Sequence, residues 1–233
     1  MGKFEANLVS ASVAFVVTAS GPAALAGPWA QDQGVWQDTT SVSYETGDFG
    51  LSSRQDYYLE AGLHPKWTGV FKIESLLRTE SGQDDRTAAQ LGIRRQLWRN
   101  DIAAISIQGA VLFGESFLGD ACSGTGFETR TGAGRNINAF GQKGFAALEG
   151  AYRAYGGGCS REKLDAVVGL DLAPKWRIYG KLFGETGGGV NSVKAELQVT
   201  RRFWGHDWGL GYRQEFAGEF EERAILVSMQ RSF

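Results

Sequence analysis

Ionisable side chains recur at every second position inside otherwise apolar runs. Lys72 and Glu74 alternate with Phe71 and Ile73, and Lys194, Glu196 and Gln198 alternate with Val193, Ala195, Leu197 and Val199. Asp165 and Asp171 oppose Leu164, Ala166, Val168, Leu170 and Leu172. By the same parity the cationic set is Arg54, Lys72, Arg94, Arg130, Arg153, Arg177, Lys181, Lys194 and Arg213. The anionic set is Asp56, Glu60, Glu74, Glu128, Glu149, Asp165, Asp171, Glu185, Glu196 and Glu215. Three chemistries are open to such a face. It could line a wet conduit and select among solutes, it could pair across a narrow interior and fill it, or carboxylates such as Asp165 and Glu196 could serve as acid and base. The first two need only what the pattern supplies, so no catalytic residue is assigned.

A period of two belongs to strands, with successive side chains on opposite faces. The alternating segments, with their flanks, run to about 9–12 residues, the length a tilted strand needs to cross a bilayer. Twelve strands are predicted, beginning near Gly34, Leu51, Trp67, Thr87, Ile102, Gly126, Gly144, Arg161, Trp176, Asn191, Asp207 and Phe220. The sixth has almost no apolar face across 128–135, and ten strands follow if the sixth and seventh are one long loop. His64-Pro65-Lys66-Trp67 returns as Ala173-Pro174-Lys175-Trp176, and Arg94-Arg95-Gln96-Leu97-Trp98 returns loosely as Arg201-Arg202-Phe203-Trp204. This weak repeat points to one sheet wound twice.

Short turns are expected at Pro65, Asn100, Pro174 and Gly205, and longer loops at 79–86, 115–125, 155–161 and 185–191. Trp36, Trp67, Trp98, Trp176, Trp204 and Trp208 all fall at the short-turn end. Indoles prefer the boundary between acyl chains and headgroups. Arg95 and Arg201 break the parity and point outward near those turns, where they can reach lipid phosphates or stand in water. Cys122 and Cys159 fall in two loops at the opposite end, where a disulfide would staple them; two free thiols are the alternative.

Composition restricts the remaining choices. Lys and Arg total 24 against 26 Asp and Glu, so there is no basic field for nucleic acid. Neither Cys has a His or second Cys near it in sequence, so no metal site is expected. Gly156-Gly157-Gly158 and Gly187-Gly188-Gly189 lead into no helix and carry no Lys-Ser/Thr ending, so they are not phosphate loops, and no cofactor motif is present. Residues 1–26 read as a secretory signal peptide: a weakly basic start, an apolar run over 8–18 that is too short to span a membrane as a helix, and Ala24-Leu25-Ala26 for cleavage. Residues 27–233 form one domain, and no run of 18 apolar residues follows the leader.

The last strand alternates and closes on Phe233. Together with the leader, the alternation and the tryptophans, it makes the chain resemble the small monomeric outer-membrane β-barrels of Gram-negative bacteria. The resemblance implies an all-β, antiparallel up-and-down barrel with the short turns and both termini on the periplasmic side. It further implies lipid contact around the wall and recognition of the Phe233 strand by the barrel-insertion machinery. Some twelve-stranded members are phospholipases with a Ser-His pair on the outer wall. Here the two His, His64 and His206, fall in periplasmic turns, so the resemblance to an enzyme fails at the residues that matter.

The function expected is a passive, porin-like channel for small polar solutes, with the 115–125 and 155–161 loops at its gate. A plugged barrel with a structural or surface-binding role is the alternative. A soluble secreted β-sandwich and an outer-membrane hydrolase follow behind.

Overall fold

The computed structural model describes residues 27–47, 50–78, 85–115 and 122–233. The leader reading of residues 1–26 lies outside them. Twelve strands close into a barrel in which each strand pairs antiparallel with its neighbours in sequence and the last returns to the first. They are β1 (Trp36–Gly47), β2 (Gly50–His64), β3 (Trp67–Arg78), β4 (Arg86–Arg99), β5 (Ala103–Gly114) and β6 (Gly126–Ala139). The second half comprises β7 (Gln142–Tyr155), β8 (Ser160–Ala173), β9 (Trp176–Gly187), β10 (Val190–Phe203), β11 (His206–Gly218) and β12 (Arg223–Ser232). Closure leaves no strand edge unpaired, which a bilayer demands because lipid offers backbone N–H and C=O groups no partner. Among the described residues no helix is long and apolar enough to cross a membrane.

The period of two is visible residue by residue. Along β5, Ala104, Ser106, Gln108, Ala110 and Leu112 are buried, while Ile105, Ile107, Val111 and Phe113 are exposed. Around the wall Leu91, Leu97, Leu164, Leu197, Leu210 and Ile225 are each more than half exposed. An apolar band of that extent is untenable in water, where large exposed patches drive association. It is the outer wall expected of a protein dissolved in acyl chains. The sixth strand forms despite its weak apolar face: Phe127, Thr129, Thr131 and Ala133 face outward, and its ladder to β7 runs unbroken from Gly126↔Tyr155 to Ala139↔Gln142. Main-chain pairing with both neighbours fixes it where side-chain pattern alone is thin, and twelve strands replace the ten-strand alternative.

Two loops are shorter than the sequence suggests. The segment 185–191 is no long loop, because β9 continues to Gly187 and β10 starts at Val190, its partner across the hairpin. Gly187, Gly188 and Gly189 all have positive φ, at 102°, 63° and 79°, so the chain reverses in two residues. The 155–161 loop contracts likewise to one 3₁₀ turn at Gly156–Gly158. Both glycine triplets therefore build turns. The turns at 65–66, 100–102, 140–141, 174–175 and 204–205 share the end of the barrel at which residues 27–35 and Phe233 also lie. We call this the terminal end, and the opposite one the loop end.

Candidate functional site

Inward side chains surround a cavity of about 460 Å³. At roughly 30 Å³ per water, this is room for about fifteen waters. Arg54, Asp56, Lys72, Glu74, Arg94, Arg130, Glu149, Arg153, Asp165, Lys181, Glu185, Lys194, Glu196 and Arg213 all line it. The remaining charges singled out by parity sit elsewhere. Glu60 and Glu128 are buried behind the arginines they bind. Asp171 and Arg177 pair with each other near the terminal mouth, where they are cross-strand partners. Glu215 does not line the lumen: it accepts hydrogen bonds from Ser192 Oγ (2.6 Å) and from the backbone N–H of Phe220 (3.0 Å), and so holds the β11–β12 turn.

The charges form three tiers along the axis. Nearest the terminal end, Arg94 Nη1 lies 2.7 Å from Glu60 Oε1, with side chains 3% and 0% exposed. Tyr58 Oη donates to the same carboxylate at 2.6 Å, and Gln108 Oε1 accepts from the guanidinium. Midway, Arg130 joins three acids from three strands: Glu128 at 3.0 Å, Glu149 at 2.8 Å and Asp165 at 3.0 Å. Arg153 adds a 2.6 Å contact to Glu128. At the loop end, Glu45 binds Arg54 at 2.9 Å and Arg213 at 2.5 Å. The β11–β12 turn folds inward there, bringing Glu222 against Arg213 at 2.8 Å and against Lys194. Burial opposes ionisation of Glu222, but Arg213, Lys194 and Arg54 around it win and hold its carboxyl well below the usual range. Buried charges persist only when paired in this way.

The lumen is not wholly polar. Phe145 and Tyr179, with ring centroids 6.2 Å apart, line one side together with Val167 and Leu226. Residues 27–33 enter from the terminal mouth. Arg94 Nη1 donates to the Gly27 carbonyl at 2.5 Å, Gln31 Nε2 donates to Glu60 at 2.7 Å, and Trp29 meets Phe145 edge-to-face at 6.0 Å. This insertion escapes a pattern search because the segment has no strand period. Glu45 and Lys163 share the inward parity of their neighbours and were findable on that signal. Glu222 lies in a turn, where parity carries no information.

At the loop end Cys122 and Cys159 are joined as a disulfide with Cα atoms 5.3 Å apart. At the terminal end, Trp36, Trp67, Trp98, Trp176, Trp204 and Trp208 stand on the outer rim. Arg95 lies 5.3 Å over the Trp67 ring and Arg201 lies 5.1 Å over the Trp176 ring, each across a strand pair. The two halves of the weak repeat thus build the same outward Arg–Trp stack. His64 closes β2 and His206 opens β11, both at this end.

No protein-family profile matches the chain, and no curated protein matches it. Solved structures do match in fold. A KdgM porin in complex with disordered oligogalacturonate shares 10% identity at a TM-score of 0.59, over 84% of this chain and 99% of that one. The COG4313 outer membrane channel from Pseudomonas putida F1 shares 9% at 0.61, over 91% and 100%. The NanC porin shares 7% at 0.63, over 82% and 98%. At such identities the likeness establishes the architecture: this is the fold of bacterial outer-membrane barrels.

Proposed function

We propose that the chain is a narrow, passive outer-membrane channel for small polar solutes and does no chemistry on them. The carrying observation is the cavity of about 460 Å³ inside a closed barrel, lined by charges of both signs. Solvated solutes exchange hydration for lining groups, and a mixed lining favours neither cations nor anions strongly. The named porins and the outer membrane channel, similar in fold, support the same reading. The Arg95–Trp67 and Arg201–Trp176 stacks suit the headgroup boundary of a phospholipid leaflet. On this reading the terminal end, with its short turns and both termini, faces the periplasm, the side on which outer-membrane barrels carry their short turns. The alternating β12 strand running to Phe233 is the segment that the insertion machinery would read.

A planar bilayer tests the reading: discrete, weakly selective conductance steps are expected. Protein that folds and inserts but never conducts would transfer the assignment to the plugged barrel. One observation favours that alternative, namely the ion pairs that join strands not adjacent in the sheet, Arg94 of β4 with Glu60 of β2 and Arg213 of β11 with Glu45 of β1.

A further inference from the structure

We infer that residues 27–33 are a displaceable plug that limits the channel from its terminal mouth, swinging about Gly34; the inference rests on the channel reading above. The segment occupies a seat built for it. Pro28, Ala30 and Gln31 are buried, and Gly27 reaches the lining of the cavity. On β6 the inward positions that face it are Gly132 and Gly134, and a Cβ at Gly134 would collide with both Trp29 and Pro28. The wall is thus bare where the plug lies, and Phe145 completes the seat at the edge of the Trp29 ring.

The anchors are separable. Gln31 uses its backbone N–H on Thr68 Oγ1 (3.0 Å) and its side chain on Glu60 (2.7 Å) and Gln37 (3.4 Å), Arg94 holds the Gly27 carbonyl, and Asp32 meets Arg99 at 4.0 Å and accepts the Val35 N–H at 3.0 Å across the pivot. Withdrawal would orphan neither charged partner. Arg94 and Glu60 remain bound to one another at 2.7 Å, with Tyr58 and Gln108 still in contact. A mouth whose ion pair stays satisfied in both arrangements is the kind of element that can hold two states. The pivot is also defined. Gly34 has φ of 81° with open space around its Cα, and its N–H is tied to the Gly62 carbonyl at 2.9 Å. Beyond it Trp36 is locked to Phe233 by reciprocal main-chain hydrogen bonds. Motion therefore ends at Gly34.

Single-channel recording on three proteins tests this. The first is the unaltered protein, the second lacks residues 27–33, and the third carries Pro28→Cys and Gly132→Cys, whose Cβ atoms would lie 3.4 Å apart, in a Cys122→Ser, Cys159→Ser background. The deletion is expected to raise conductance or open probability severalfold. The cysteine pair is expected to crosslink, to suppress opening, and to recover on reduction, which in that background breaks only the new bridge. Equal conductance in the deletion and the unaltered protein overturns the plug and leaves the channel reading standing. A crosslinked protein that conducts as its reduced form does, or a pair that does not crosslink, also overturns the plug. Should even the deletion variant insert without conducting, both readings fall. If the deletion does not fold, the cysteine pair, which keeps the full length of the segment, decides alone.

Discussion

Asp38 and Arg231 face each other across the seam where the first strand meets the last, on the outer wall of the barrel. They are register partners, with Arg231 Nη2 and Nε at 2.7 Å from Asp38 Oδ2 and Oδ1 respectively. Asp38 is only 2% exposed, because the guanidinium covers it, and Arg231 in turn stacks 5.4 Å over the Phe233 ring. An anionic carboxylate on a lipid-facing wall is acceptable only under such a cover. The pair therefore clamps the β1–β12 seam, whose partners at this end lie nearly two hundred positions apart in sequence.

Replacing Arg231 with Ala leaves Asp38 outward and unpaired. We expect a loss on the order of 1–3 kcal/mol, the cost of orphaning a buried polar group, at the low end because Arg231 is itself half exposed. The denaturant midpoint of the vesicle-reconstituted barrel reads it, and Asp38→Asn combined with Arg231→Ala should regain part of the loss. Equal stability of Arg231→Ala and the parent would show that the seam needs no clamp.

Arg94→Ala strips the partner from Glu60, whose side chain is fully enclosed. Breaking a buried pair from one side costs roughly 3–5 kcal/mol. Less folded barrel and a lower unfolding midpoint are expected, with Glu60→Gln in the same chain restoring much of both.

Arg130→Ala leaves Glu128 with Arg153 and deprives Glu149 and Asp165 of their shared cation. The lumen then gains net negative charge at its middle. Under a salt gradient the reversal potential should move toward cation preference, and an unmoved potential would place the solute path away from this tier.

The inward turn at the loop end is set by Glu222, which faces Arg54, Lys194 and Arg213, with Glu45 and Glu215 beside them. Its folded carboxyl titrates below the value of an unfolded Glu, about 4.3, because those three cations outweigh the cost of burial. A depressed acid stabilises fully above the unfolded value and loses that contribution as pH falls through the folded one. The turn should stay docked from pH 5 to 8 and release only well below pH 4. Cleavage within 219–222 by an acid-active protease, only well below pH 4, would follow this, and Glu222→Gln should be cut at neutral pH by a glutamyl endoprotease that the parent turn resists.

Phe233→Ala removes the ring beneath Arg231 and alters the end of β12. We expect less assembled barrel in the outer membrane at unchanged synthesis, measured by membrane fractionation. Undiminished assembly would separate this residue from insertion.

Strand existence was legible because one face of each strand must meet lipid and the other must not. Alternation in the segments around Ile73, Leu170 and Leu197 carries that demand directly. The sixth strand was barely legible, since Thr129, Thr131 and Ala133 are weak lipid-facing residues and its place is enforced by two neighbours. The glycine triplets misled on loop length, because composition alone does not distinguish a long loop from a two-residue reversal through positive φ. Inward charges were legible as a set, but their partners were not. Arg130 finds Asp165 only because β6, β7 and β8 lie side by side in a particular register.

By itself the sequence determined which side of each strand is greasy and where the tryptophans lie, since these depend on local order and on a period of two. Only the tertiary structure decided what fills the interior. Residues 27–33 and Glu222 lie outside any strand pattern and enter the lumen through contacts with residues distant in sequence. Closure of the barrel brings those partners within hydrogen-bonding distance, and no local rule encodes that closure.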